Sequence, residues 1–355
     1  AHNATLRRLI AEATGVIEEA FSTQADEQAV RALLDESEHR IFSIARSGGQ
    51  SSAESIRGIL AETFERLEAK SKHELTGLNT GYYELNDKLC GLNRGDLIIL
   101  AARPAMGKTA LALNLIENAA LSWSAELERN PSVLLFSLEM GKQQIVSRML
   151  CSRARVDAHK LRTGRIPSED YAQLSEAAGE LARSSIFIDD TPGLSVMALR
   201  ARARRIKAKH GLDLIVVDYL QLMSHPRAES RQMEISAISR SLKALARELE
   251  VPVVALAQLS RQVESRDSKK PILSDLRESG SIEQDADVVM MLYRQEYYER
   301  DECPEEERGK ADVIIAKHRN GPTGEIKLQF FPSIMRFENP ALSAAEPIFS
   351  SGADV

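Results

Sequence analysis

Covalent cross-links are the first thing this sequence lacks. Its three cysteines, Cys90, Cys151 and Cys303, are scattered and odd in number, and no C-x-x-C pair occurs. That supports neither a disulfide framework nor a zinc site, and it points to a reducing compartment, the cytoplasm. No apolar run approaches the roughly 20 residues that cross a bilayer, so no membrane partner is expected. The opening A-H-N-A-T-L-R-R leads into a helical pattern rather than a secretory leader. It does not begin with Met, and the chain reads as a piece of a longer one. Excess positive charge is missing too: 46 Lys and Arg against 52 Asp and Glu leave a net charge of −6. A nucleic acid would have to be held by local basic loops rather than by a global field. What remains is 355 residues, 43% hydrophobic and 28% charged, a globular composition with length for roughly two domains.

In chain order, residues 1–46 carry two apolar helical stripes. Leu6, Leu9, Ile10, Ala13 and Ile17 form one, and Val30, Leu33, Leu34, Ser37, Ile41 and Ile44 the other, with a break near Ser22-Thr23-Gln24. A helical hairpin is expected. Residues 47–75 read as a linker: a flexible S-G-G-Q-S-S joint, a capping box at Ser51 and Glu54, then a helix with Ile56, Ile59, Leu60, Phe64 and Leu67 on one face. That stripe either packs on its own domain or docks on a neighbouring subunit. Residues 76–339 alternate strand and helix. Strands are expected at 97–100, 133–137, 186–189, 214–217, 253–257, 288–292, 313–316 and 326–330. Helices are expected at 108–127, 143–155, 169–182, 196–210 and 234–249. Continuous apolar strands between helices imply an α/β fold with a mostly parallel sheet covered on both faces. Asn320-Gly321 predicts a tight hairpin and an antiparallel edge. Residues 340–355 read as a loosely ordered tail.

The segment L-I-I-L-A-A-R-P-A-M-G-K-T-A-L-A-L-N, residues 97–114, reads as strand, phosphate loop and helix. Backbone N–H groups of Ala105, Met106, Gly107, Lys108, Thr109 and Ala110 would cradle phosphates at a helix N-terminus. Lys108 would reach the β- and γ-phosphates and Thr109 would ligate Mg²⁺. Ala102 stands where the motif has its first glycine, which is tolerable if that residue needs no positive φ. Asp218 ends the apolar strand L-I-V-V-D and suits Mg²⁺, or else caps a turn. Tyr219 follows where many NTPases keep a glutamate, so the base must come from elsewhere. Glu139, past another apolar strand, either orients the attacking water or starts the next helix. Gln258, at a strand end, either senses the γ-phosphate or caps its strand. Lys317 and Arg319 share one side of an extended chain, with His318 opposite. They form either an arginine-finger pair acting in trans or two surface cations. Two long loops follow Asp218 and Gln258. The second, residues 260–284, holds Arg261, Arg266, Lys269, Lys270 and Arg277 and no aromatic residue, so any contact with nucleic acid would be to phosphates. The bland alternative is a mobile charged loop. Six cations between Arg200 and Lys209 spread around one helix, which reads as solvated rather than as a nucleic-acid stripe.

These stretches together resemble one family closely, the bacterial replicative DNA helicases of the DnaB type. The shared runs are T-G-L-N-T-G-Y-Y-E-L-N, A-A-R-P-A-M-G-K-T, F-S-L-E-M, V-V-D-Y-L-Q-L-M, E-I-S-A-I-S-R-S-L-K-A-L-A-R-E-L, S-D-L-R-E-S-G-S-I-E-Q-D-A-D and K-H-R-N-G-P-T-G, in order over residues 76–338. The resemblance implies a RecA-like ATPase core in a homohexameric ring, with ATP between subunits and single-stranded DNA through the centre. It implies phosphate binding by Lys108, Mg²⁺ at Thr109 and Asp218, and a catalytic base at Glu139. It adds Arg148 near the nucleotide, Gln258 as γ-phosphate sensor, and Lys317 with Arg319 supplied in trans. Arg277, Glu278 and Gly280 match the segment that grips the DNA backbone. It further implies 5′ to 3′ movement, primase and a helicase loader as partners, and a linker helix docked on the adjacent subunit. Residues 1–46 resemble only the hairpin that ends the family's N-terminal domain. His318 departs from the usual Gln, and residues 121–130 look like a surface insertion. Two other readings stay open: a RecA-type recombination or repair ATPase, and a non-catalytic scaffold with a vestigial nucleotide site.

Overall fold

The computed structural model describes residues 2–22, 29–30, 33, 37, 55–58, 60, 63–64, 75–223 and 230–341. It falls into two units, residues 1–74 and 75–355. In the first, a helix runs His2–Ser22, with Ile10, Ile17 and Phe21 exposed; Thr23 and Gln24 of the expected break lie outside the described residues. Residues 29, 30, 33 and 37 are helical, as are 56–58, 60, 63 and 64. Ile56, Leu60 and Phe64, spaced by four, present an exposed apolar stripe. The S-G-G-Q-S-S joint, the Ser51 and Glu54 box and the tail from residue 342 lie outside the described residues.

The second unit is built on a nine-stranded sheet: β1 (Leu97–Ala102), β2 (Ser132–Ser137), β3 (Ser185–Asp189), β4 (Leu214–Asp218), β5 (Val253–Gln258), β6 (Val288–Tyr293), β7 (Lys310–His318), β8 (Gly324–Phe331) and β9 (Arg336–Glu338), in the order β3-β2-β4-β5-β1-β6-β7-β8-β9. From β3 to β6 every pairing is parallel, and from β6 to β9 every pairing is antiparallel. Parallel strands buried on both faces must be apolar throughout, and β1, β2, β4 and β6 are buried along their whole length. Their side chains alternate between two cores. Ile98, Leu100, Val216, Val254 and Leu256 pack with Leu111 and Leu115 of the helix Lys108–Leu121. Leu97, Ile99, Ala101, Ile215 and Val217 pack with Ile235, Ile238, Leu242 and Leu245 of the helix Arg231–Leu249. The last four recur at three- and four-residue steps, one stripe of an amphipathic helix.

Four expectations need correction. The helix from Lys108 stops at Leu121 rather than 127. There Ser122 turns extended, and Ser124 pairs with Arg129 across a turn at Glu128, whose φ is positive. Asn320-Gly321 lies in a five-residue connection between β7 and β8, not a two-residue turn. Residues 260–284 are not a plain loop: they hold 3₁₀ turns at Arg261–Ser265 and Leu273–Ser279 and the start of a short helix, Gly280–Asp285. The basic helix Val196–His210 is not simply solvated. Arg200 and Arg204 pair with Glu248, Arg202 with Asp189, and Lys207 with the Leu249 carbonyl. Strand β9 was not foreseen; three residues carry too little pattern.

Candidate active site

Helix Lys108–Leu121 starts at Gly107, whose missing side chain cannot cap it. The first intrahelical bond runs from Leu111 N–H to the Gly107 carbonyl. The N–H groups of Lys108, Thr109 and Ala110 therefore keep their donors for a ligand. Ala105 (φ 63°) and Gly107 (φ 97°) are left-handed on either side of Met106, the alternation that turns successive N–H groups into one concavity. Gly107 is doubly required. Its φ strains any side chain, and a Cβ there would stand 2.9 Å from the Phe337 ring. Ala102 closes β1 in ordinary strand conformation, which meets the condition its methyl group imposed.

Thr109 Oγ1 donates to Asp218 Oδ2 at 2.8 Å. Asp218 ends β4, two strands from β1, and is 2% exposed. Its Oδ1 is buried without a hydrogen-bond partner, an orphaned acceptor that fits a cation's water shell. Burial pushes the Asp218 carboxyl up. Lys108 and the Thr109 hydroxyl draw it back, Glu139 raises it further and Arg148 lowers it. Burial lowers the Lys108 ammonium, while Asp218 and Glu139 hold it up. Lys108 Nζ stands 4.8 Å from the centre of the Tyr219 ring, across the cis peptide between Asp218 and Tyr219.

The sheet brings Glu139 here. Ser137 of β2 is in register with Asp218, and Leu138 N–H donates to the Asp218 carbonyl at 2.7 Å. Glu139 is the next residue, exposed and within electrostatic reach of Lys108, Asp218 and Tyr219. Arg148 is half-buried on the helix Lys142–Ala154. Gln258 ends β5 between β4 and β1, level with Ala102. Its side chain is exposed, and the Gln221 amide brackets its backbone at 3.3 and 3.4 Å. The structure thus gathers Lys108, Thr109, Glu139, Asp218 and Gln258 at the C-terminal edge of one sheet, where open α/β folds bind ligands.

A profile of the DnaB-like helicase C-terminal domain matches residues 77–339. The chain belongs to the DnaB family of replicative DNA helicases. It is 47% identical over 338 residues to the replicative DNA helicase DnaB of Geobacillus stearothermophilus, covering 94% of this chain and 72% of that protein. It is 47% identical over 348 residues to the DnaB of Pasteurella multocida, covering 95% and 72%. A solved DnaB-like replicative helicase, described with its interactions with primase, superposes with a TM-score of 0.80 at 37% identity, over 96% of this chain and 77% of that one. These findings make the chain an ATP-hydrolysing helicase and set aside the recombination and scaffold readings.

Lys317 and Arg319 of this DnaB-family chain lie at the opposite edge, since His318 between them pairs with Val288, the first residue of β6. Lys317 and Arg319 turn the same way, as their spacing predicts, but toward their own chain. Lys317 Nζ donates to the carbonyls of Glu283 (2.6 Å) and Ala286 (2.8 Å). Arg319 donates to the Gln284 carbonyl and lies 3.5 Å from Asp287 Oδ1. Together they cap the C-terminal end of the helix Gly280–Asp285. Burial and Arg319 lower the Lys317 ammonium, and Glu283, Asp287 and Asp285 raise it. Three cations expected to be available for phosphates are engaged internally. Arg266 pairs with buried Asp275 at 2.6 Å, Lys270 with Glu325 at 2.8 Å and Asp312 at 3.3 Å, and Lys269 lies over the Tyr298 ring. The side chains of Arg277 and Glu278 lie outside the described residues, and Gly280 opens the helix Gly280–Asp285. Sequence reasoning missed Gln221, Phe337 and Arg103, whose partners lie 37 to more than 200 residues away with no spacing signal.

Proposed function

We propose that this chain is the motor of a homohexameric ring that hydrolyses ATP and moves 5′ to 3′ along single-stranded DNA. The observation that carries the reading is the Thr109–Asp218 pair, with its orphaned second oxygen, beside Lys108 and Glu139. The N–H groups of residues 105–110 and the Lys108 side chain hold the triphosphate. Thr109 and Asp218 would hold Mg²⁺, which would supply positive charge to offset that of the triphosphate. Glu139 orients a water and takes its proton as the water oxygen attacks the γ-phosphorus. The bond to the bridging oxygen breaks, leaving ADP and phosphate. Arg148 and Gln258 face the nucleotide from within the subunit. Lys317 and Arg319 reach a neighbour's nucleotide, and residues Arg277, Glu278 and Gly280 hold the DNA backbone.

The linker helix docks on the adjacent subunit, in keeping with the exposed Ile56, Leu60 and Phe64. Primase and a helicase loader are expected partners, the former in line with the solved relative described with primase. Among the described residues no helix is long and apolar enough to cross a membrane. With free cysteines that favours the cytoplasm. The test is subunit mixing. Lys108→Ala and Arg319→Ala should each cut ATP hydrolysis by about 10³-fold or more, and Lys108→Ala should abolish fork unwinding. Mixed subunits should recover part of the hydrolysis, because some interfaces then carry both intact residues. No recovery at any ratio would refute a shared site.

A further inference from the structure

Arg103 follows β1 directly, two residues before the left-handed Ala105. A cation in a phosphate-binding segment is expected to face phosphate, yet this one turns away. Its side chain is 8% exposed. Nε donates to Glu264 Oε1 at 2.8 Å, and Nη1 donates to the Leu259 carbonyl at 2.8 Å. Both partners lie just past Gln258: Leu259 is the next residue, and Glu264 is in the turn Arg261–Ser265. The backbone repeats the tie, with Leu259 N–H donating to the Ala102 carbonyl at 3.1 Å. Beyond the turn the bonds continue. Ser260 N–H donates to the Asp275 carbonyl at 2.9 Å. The Asp275 carboxylate, 5% exposed, accepts from Arg266 at 2.6 Å and from Ile272 N–H at 2.7 Å. Asp275 belongs to the turn Leu273–Ser279, which leads into the residues proposed to hold DNA.

A buried guanidinium bonded to a backbone carbonyl and to the half-exposed Glu264 carboxylate has little freedom to reorient. Movement of the phosphate loop must therefore carry the 259–264 turn with it, or break both bonds. We propose that Arg103, through Glu264, is a positioning residue that couples the phosphate loop to the DNA-holding segment, so that DNA stimulation of ATP hydrolysis passes through this pair. The inference rests on the functional reading above, in which residues 277–280 meet DNA. Arg103 touches neither nucleotide nor DNA. Its role is to make the two binding events depend on one another.

The experiment uses the full chain and measures ATP hydrolysis with and without oligothymidylate, for the wild type, Glu264→Gln, Arg103→Gln, the double variant and Arg103→Lys. In Glu264→Gln the DNA-free rate and the KM for ATP should stay at wild-type values, while the stimulation ratio falls at least about fivefold, the lower end of typical couplings between sites. The double variant should be no worse in that ratio than Arg103→Gln, because the pair acts as one unit. Arg103→Lys, which keeps the charge opposite Glu264, should recover part of it. A Glu264→Gln enzyme stimulated as strongly as wild type overturns the inference. So does one whose DNA-free and DNA-stimulated rates fall in equal proportion, since that marks a purely structural pair. A wild type that is itself unaffected by oligothymidylate counts against the functional reading instead.

Discussion

Glu117 sits on the helix Lys108–Leu121 at 1% exposure, and neither carboxylate oxygen has a hydrogen-bond partner. The cation paired with it, Arg336, holds Nη1 3.9 Å from Oε2. Burial pushes this carboxyl up to about 8, against the pull of Arg336 and Arg153. The unfolded chain loses the proton near its ordinary 4.5, so between these values the folded chain holds a proton that the unfolded chain does not. Stability from this group is therefore full below about pH 4.5 and is lost as pH rises toward 8. At about 1.4 kcal/mol per unit, the three or so units between pH 5 and pH 8 amount to about 4 kcal/mol at most. Glu117→Gln keeps the shape and removes the titration. Urea unfolding of both proteins across that range should show the variant gaining on the wild type as pH rises, by about 2–4 kcal/mol. A constant offset between the two curves would refute the argument, since it would mean the acid is not held neutral in the folded chain. The comparison of slopes matters more than either curve, because any fixed cost of the buried amide cancels.

Two further outcomes follow from particular contacts. Gly107→Ala combines a φ of 97° with a Cβ 2.9 Å from Phe337, so it should destabilise the ATPase unit by about 1–3 kcal/mol and abolish nucleotide binding, read by thermal melting with and without ATP. Arg277→Ala should lower the slope of log affinity against log salt for oligothymidylate by about 1, while Arg266→Ala, whose partner is buried Asp275, should lower the melting temperature and leave that slope unchanged.

Much of the fold was legible because its strands are apolar runs. Each of the eight expected strands exists, with ends displaced by three residues or fewer. The largest displacement is at β7, where Lys310, Ala311 and Asp312 extend the strand past the apolar stretch. The gathering of the phosphate loop, Asp218 and Glu139 was legible because each stands at or within two residues of the end of a buried strand, and parallel strands deliver their ends to one edge. The state of the loop after Gln258 was not. Its charges read as available for phosphate, and only the fold reveals Asp275, Asp312 and Glu325 waiting for Arg266 and Lys270. Arg103 was invisible for the same reason, since its acid lies 161 residues on. Local pattern specifies faces and periods; it does not say which charge will be neutralised from across the sheet.

Lys317 and Arg319 are already spoken for: their donors close off the carbonyls of Glu283, Gln284 and Ala286. An ammonium group has three donors, so a phosphate brought to Lys317 would compete with those oxygens. If the pair is lent to a neighbour as proposed, those bonds are drawn away from the last turn before Asp287, in the element that begins with Gly280.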